Sequence, residues 1–211
     1  MSCATKLLAY CVTLGPGPEI PTIGVIGAPV RTVQFQNLGC VYSPLIPPQE
    51  FSQEDALRFH TVLKSVFDQQ AVIPFRFPTI LQNETDLREH LRAKYDVYSG
   101  DLQQLKDAVQ MELRITAKPE AVSGSSGTDY LRAKQQSSRA LGAASQQAKI
   151  ALSDLILEWK ERPTESGLRC YALVRRSDIA RFRRQLEDSN VSGPAQLLLS
   201  GPWPATEFLH D

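Results

Sequence analysis

The chain reads as an α+β protein of two domains, and three features of the sequence point there. At Val109 the apolar spacing changes from a three-four rhythm to strict alternation, with Val109, Met111, Leu113 and Ile115 set against Gln110, Glu112, Arg114 and Thr116. The second half then orders its elements β-α-β-β-α-β, the ferredoxin-like order. The chain closes on Gly201-Pro202-Trp203-Pro204, a stiff aromatic-bearing segment where ordinary termini are polar and frayed. The expected organisation is an N-terminal α+β domain over 1–108, a modified ferredoxin-like domain over 109–200, and a tail over 201–211 that packs on the domains and straps them together.

Residues 6–14 form an apolar run and predict a strand buried on both faces. Lys6 followed by Leu7 to Val12 has the outline of a signal peptide, but no small-residue cleavage site follows, so the strand is the better reading. A Pro/Gly loop covers 15–24. Residues 30–36 alternate as a half-exposed strand, Asn37 and Gly39 bracket a turn, and 40–45 return. Ser52 with Asp55 three residues on has a capping-box arrangement, opening a helix with the stripe Ala56, Phe59, Leu63, Val66 and Phe67. Residues 71–77 are a short apolar strand stopped by Pro78. Asn83 caps a helix whose stripe Leu87, Leu91, Tyr95, Tyr98, Leu102 and Leu105 continues through Gly100, running on or bending there.

After the strand that starts at Val109, residues 119–128 form a Gly/Ser-rich loop. A helix starts near Thr128 with the stripe Leu131, Leu141, Ala144, Ala148 and Ala151. Carried on to Lys160 it would span about 33 residues and roughly 50 Å, long for a small domain. Ser153 and Asp154 offer a break, after which Leu155, Leu157 and Trp159 alternate with Ile156, Glu158 and Lys160. A turn at 163–167, a strand at 168–176, a helix capped by Ser177 with Ile179, Phe182 and Leu186 on one side, and a strand at 195–199 complete the order.

The 23 basic residues balance 23 acidic ones. That argues against a nucleic-acid binder, which carries a basic excess on its binding face. Cys3, Cys11, Cys40 and Cys170 lie far apart with no Cys-x-x-Cys pair, against zinc and thioredoxin-type redox roles. No apolar run approaches the roughly 20 residues that span a bilayer, so no membrane is expected. His60 and His90 complete no His-Glu-x-x-His, Gly-x-Ser-x-Gly or triad order. Gly124-Ser125-Ser126-Gly127 precedes a helix, as phosphate cradles do, but lacks their lysine and is followed by Asp129. The cluster Arg175, Arg176, Arg181, Arg183 and Arg184 is interleaved with Asp178, Glu187 and Asp188, which suits a salt-bridged face. The expectation is no enzyme, no metal and no cofactor.

Three separated segments carry a resemblance. Ile73-Pro74-Phe75-Arg76-Phe77-Pro78-Thr79 follows a helix containing His60, Gly127-Thr128-Asp129-Tyr130-Leu131-Arg132-Ala133-Lys134 opens the later helix, and Gly201-Pro202-Trp203-Pro204 closes the chain. Their order and spacing resemble the gas vesicle synthesis proteins of the GvpL/GvpF family over nearly the whole length. The resemblance implies a minor structural or accessory protein of gas vesicle formation, cytoplasmic and vesicle-associated, that binds the major shell protein and other gas vesicle proteins. This chain departs from the family pattern at Pro78, where glycine is common, and at Pro204-Ala205-Thr206-Glu207-Phe208, where Pro-Pro-Tyr-Ser-Phe is usual.

Arg76, Phe77, Tyr130, Leu131, Trp203 and Phe208 are the candidate structural or interaction residues. Arg76, set between Phe75 and Phe77, suits a partly buried guanidinium paired with oxygen acceptors, or else a partner contact. Trp203 between two prolines suits an indole docked on the same molecule, or else a polyproline-type ligand for another protein. The alternative function is a small-molecule-binding or regulatory ferredoxin-like domain.

Overall fold

The structure is a computed structural model that describes residues 6–15, 17–45, 50–117, 127–189 and 195–210, with the backbone alone over 127–134. The chain divides into two compact units, one reaching Asp107 and taking in the last residues from Phe208, the other running Ala108–Glu207.

In the first unit, β1 (Lys6–Leu14), β2 (Arg31–Phe35), β3 (Leu38–Leu45) and β4 (Val72–Leu81) form an antiparallel sheet in the order β2-β3-β1-β4. β1 is central and buried along its length, as its unbroken apolar run predicts. Its pairing slips between Ala9 and Cys11 against both neighbours, leaving Tyr10 as a bulge. The extra residue shifts the alternation by one, so Leu7, Ala9 and Val12 share one core cluster. Tyr10 is instead fixed by its hydroxyl, which bonds Ser43 Oγ at 2.9 Å and accepts the Val25 amide at 3.0 Å. Gly24 is required beside it, because a Cβ there would lie 2.3 Å from the Tyr10 hydroxyl.

β2 and β3 are joined through Gln36 and Asn37, with Phe35 opposite Leu38. The turn is therefore one place earlier than the Asn37/Gly39 bracket, and Gly39 lies within β3. β4 is not stopped by Pro78. Its partner to Cys11 is Pro74 and its partner to Ala9 is Thr79, so residues 75–78 loop out opposite the Tyr10 bulge before pairing resumes. Two prolines are tolerated because β4 is an edge strand.

α1 (Gln53–Phe67) starts with the predicted capping box: the Asp55 amide donates to Ser52 Oγ at 3.1 Å and the Ser52 amide to Asp55 Oδ2 at 2.9 Å. Its buried side is Phe59, Val62, Val66 and Phe67. The expected long helix after Asn83 is two: α2 (Glu84–Ala93) and α3 (Tyr95–Gln104), separated at Lys94 rather than at Gly100. Leu87 and Leu91 of α2 and Leu102 of α3 enter the same cluster as β1. One straight rod of roughly 30 Å would not lay both stripes on a twisted sheet.

The second unit runs β5 (Ala108–Ala117), α4 (Gly127–Ala151), β6 (Ile156–Thr164), β7 (Gly167–Arg175), α5 (Ile179–Asp188) and β8 (Ala195–Trp203). The sheet order is β6-β7-β5-β8, with every neighbour antiparallel. α4 ends at the predicted break, and Ser153 and Asp154 lie in the turn to β6. Two expectations shift. α5 is entered through a short turn at Arg176–Asp178 without a side-chain cap from Ser177, and β8 continues past Leu199 to Trp203. The loop expected over 119–128 lies mostly outside the described residues.

Strand alternation separates the two faces of this sheet. Val109, Met111 and Leu113 stand opposite Val174, Ala172 and Cys170, all fully buried. Ser145 of α4 reaches Cys170 Sγ at 3.3 Å, which puts α4 on this face. Gln110, Glu112 and Arg114 point the other way, opposite Leu173, Tyr171 and Arg169.

Candidate functional site

The polar face of the second sheet is where the end of the chain is fastened. The Glu207 amide donates to Gln110 Oε1 at 3.0 Å, and Lys160 Nζ donates to the Glu207 carbonyl at 3.0 Å. Arg162 meets the Glu207 carboxylate at 2.7 Å. One tail residue thus ties β5 to β6, two strands separated in the sheet by β7. Glu112, nearly buried beside it, takes Arg114 at 2.9 Å and has Arg169 at 3.6 Å.

The last described residues belong to the first unit and are fastened there by different chemistry. Phe208 is 3% exposed, and Leu209 packs against the core cluster that holds Leu87, Leu91 and Leu102. The carboxylate of Asp101, buried on α3, accepts the His210 amide at 3.2 Å and pairs with His210 Nδ1 at 2.5 Å. A depression of about 390 Å³ adjoins this pair, lined by Asp96, Val97, Gly100, Asp101, Gln104 and His210.

The candidate residues separate into anchors and exposed groups. Phe77 is an anchor: its ring lies 5.1 Å from those of Phe51 and Phe59, and Phe59 stacks on Tyr10 at 5.0 Å. Arg76 beside it is exposed rather than partly buried, because the looped-out part of β4 turns it away from the sheet. Trp203 also departs from expectation. It ends β8 opposite Gln110, its indole N–H donates to Ser200 Oγ at 3.2 Å, and it is 38% exposed. The buried aromatic of the tail is Phe208. Tyr130 and Leu131 lie in the first turns of α4, which places their backbone and nothing more.

His90 and the buried cysteines act as packing. His90 bonds the Tyr98 hydroxyl at 3.0 Å beside the Phe75 ring, and burial pulls its pKa below the ordinary 6.5, aided by Lys94. Between 6.5 and that lower value the unfolded chain binds the proton more readily. Stability is therefore expected to fall as pH drops below about 6.5, and His90→Gln to flatten that slope in pH-dependent denaturant titrations. Burial pushes the Cys170 thiol up to about 11 and the Cys11 and Cys40 thiols higher, which keeps them unreactive. Among the described residues no cluster of three or more His, Cys, Asp or Glu could hold a metal. Within the arginine cluster Arg181 meets Asp154, which is not one of the interleaved acidic residues Asp178, Glu187 and Asp188, and Arg183 donates to the Gly201 carbonyl at 2.7 Å.

Glu207, Gln110, Asp101 and His210 were not singled out by the sequence. Their partners lie 97 and 109 positions apart, beyond any local pattern. The available signal was weak: Asp101 sits directly beside the buried Leu102, where a carboxylate needs a partner.

Comparison with solved structures defines the class of fold. The chain is similar to the crystal structure of the gas vesicle protein GvpF from Anabaena sp. PCC7120, with TM-score 0.78 and 16% identity over 98% of this chain and 97% of that one. It is similar to GvpF from Microcystis aeruginosa with TM-score 0.78 and 13% identity, over 96% of this chain and 98% of that one. The fold is therefore the GvpF-like α+β fold with two antiparallel four-stranded sheets. No curated protein sequence matches the chain. The family model for gas vesicle synthesis protein GvpL/GvpF matches residues 6–210, and the chain belongs to that family. Its role lies in gas vesicle formation.

Proposed function

We propose that the protein is a minor structural or accessory component that binds the major gas vesicle shell protein and supports shell assembly in the cytoplasm, without catalysis. The observation that carries this reading is the family match across residues 6–210. The polar contacts at the end of the chain are compatible with it, since they fasten the chain to itself. Among the described residues no helix is long and apolar enough to cross a membrane.

The contact surface is assigned to the 140–151 stretch of α4. Gly142 and Ala143 are exposed there beside Gln146, Gln147 and Lys149, and Ile150 is 64% exposed, so a partner helix or strand meets two small residues and one apolar knob among polar side chains. Arg76 and Trp203 are secondary contact candidates because they are exposed, and Tyr130 and Leu131 are kept as candidates on the family resemblance alone. Phe77 and Phe208 serve as anchors. A stable interface of this kind buries on the order of 1,000 Å² or more.

The two units are assigned as an N-terminal α+β domain and a ferredoxin-like domain. The β-α-β-β-α-β order and the sheet order β6-β7-β5-β8 support the second assignment. The tail is the strap: Glu207 is bound in the second unit, Leu209 and His210 in the first. Binding of purified protein to purified shell protein is expected, together with impaired vesicle formation in cells lacking the gene. No binding alongside normal vesicles would overturn the reading.

A further inference from the structure

A sheet edge exposes unpaired backbone groups, and natural proteins protect it with charges, prolines or bulges. β2 has Arg31 on its edge, β4 has Arg76 with Pro74 and Pro78, and β6 has Glu158, Lys160 and Glu161. β8 keeps such protection only past Ser200, where Pro202 stands and its register with β5 slips between Gln110 and Glu112. It is an edge strand of nine residues, Ala195–Trp203, without one charged side chain. Within it runs the segment Gln196-Leu197-Leu198-Leu199-Ser200, which holds neither charge nor proline, and Leu198 is 60% exposed. Among the described residues no backbone hydrogen bond joins its outer edge to another segment. Only near its end is a carbonyl taken, that of Gly201 by Arg183.

We propose that β8 is a docking edge for a second copy of this chain, pairing antiparallel with its own counterpart about a two-fold axis. A symmetric antiparallel pair must set one residue opposite itself. Leu198 has a leucine on each side and a neutral polar residue beyond each leucine, Gln196 and Ser200, which picks it as that residue. Leu198 then faces Leu198, Leu197 faces Leu199, and the Gln196 amide faces the Ser200 hydroxyl. Leucines line the seam on both faces of the joined sheet, because successive side chains alternate. The absence of charge matters as much as the leucines: a charged edge meets its own copy with like charges opposed, and β8 does not. The whole chain adds no long-range repulsion, since its formal net charge is zero. The two four-stranded sheets become one sheet of eight, with β8 of each copy moved from edge to interior.

The seam by itself is smaller than the roughly 1,200 Å² at which standard stable complexes begin. The expected association is therefore weak and concentration-dependent. Sedimentation equilibrium of the full chain should show the mass rising toward a dimer as concentration approaches about 1 mM. Leu198→Lys and Leu198→Glu should each weaken this association about tenfold or more, because like charges then oppose across the axis. Mixing the two variants should restore it, with lysine now facing glutamate. Unchanged thermal melts of both variants, expected for an exposed position, show that folding is intact. A wild-type chain that remains monomeric throughout, a Leu198→Lys variant that associates like the wild type, or a mixture that fails to recover would each overturn the proposal.

Discussion

Phe208→Ala is expected to destabilise the protein by roughly 3–4 kcal/mol, the usual cost of deleting a buried large aromatic. For a chain of this size that lowers the melting temperature by about 6–16 °C. The same truncation at Trp203 is expected to cost about 1–2 kcal/mol, because an indole that remains partly in water loses less on removal. The order of the two effects is the informative part. Tryptophan is the larger residue and is held between prolines, so size and stiffness alone rank it first. Burial ranks Phe208 first: it is 3% exposed, against 38% for Trp203. Flanking contacts point the same way, with Leu209 in the core cluster and His210 on Asp101. Paired thermal and denaturant melts of the two variants check this. A Trp203→Ala chain less stable than Phe208→Ala would return the anchoring role to the indole.

What was legible in the sequence was local. The burial of β1, the Ser52–Asp55 capping box, the switch to alternation at Val109 and the end of α4 before Asp154 each depend on residues within a few positions. They follow from periodicity and from the hydrogen-bond needs of helix ends. What escaped depends on distant partners. Pro78 looked like a strand terminator because a proline cannot donate to a ladder, but the pairing gap that accommodates it is set by Tyr10, 68 positions earlier. Lys94 carries no breaking signal of its own. The helix divides there because its two stripes must meet one twisted sheet, a demand that Gly100 does not register.

The tail shows the same limit at the candidate site. Its prolines were plain in the sequence, and its attachment was not. Pro202 and Pro204 announce a stiff segment, whereas the groups that bind the chain end are Gln110, Lys160, Arg162 and Asp101, each ordinary within its own neighbourhood. The exposed state of Arg76 was hidden for a related reason. Its apolar neighbours suggested burial, and only the looped-out course of residues 75–78 turns it outward.

Phe182→Ala should match Phe208→Ala in size, at roughly 3–5 kcal/mol, because it removes the one fully buried side chain of α5. Ile179 and Leu186 on the same side are only partly buried, and most of the remaining helix is polar and exposed. Arg181 meets Asp154, Gln185 Nε2 donates to the Ala151 carbonyl at 2.7 Å, and Arg183 donates to Gly201 at 2.7 Å. Exposed bonds of this type contribute about 0.5–1.5 kcal/mol each, so Arg183→Ala is expected to cost several-fold less than the phenylalanine. A short helix held by one aromatic should also open before the sheet that supports it. Hydrogen exchange on Phe182→Ala is therefore expected to show lost protection along Ile179–Asp188 while Met111 and Leu113 of β5 remain protected. Uniform loss over both elements would mean that α5 and the sheet unfold as one unit, and an unchanged melt would mean that polar contacts rather than Phe182 hold the helix.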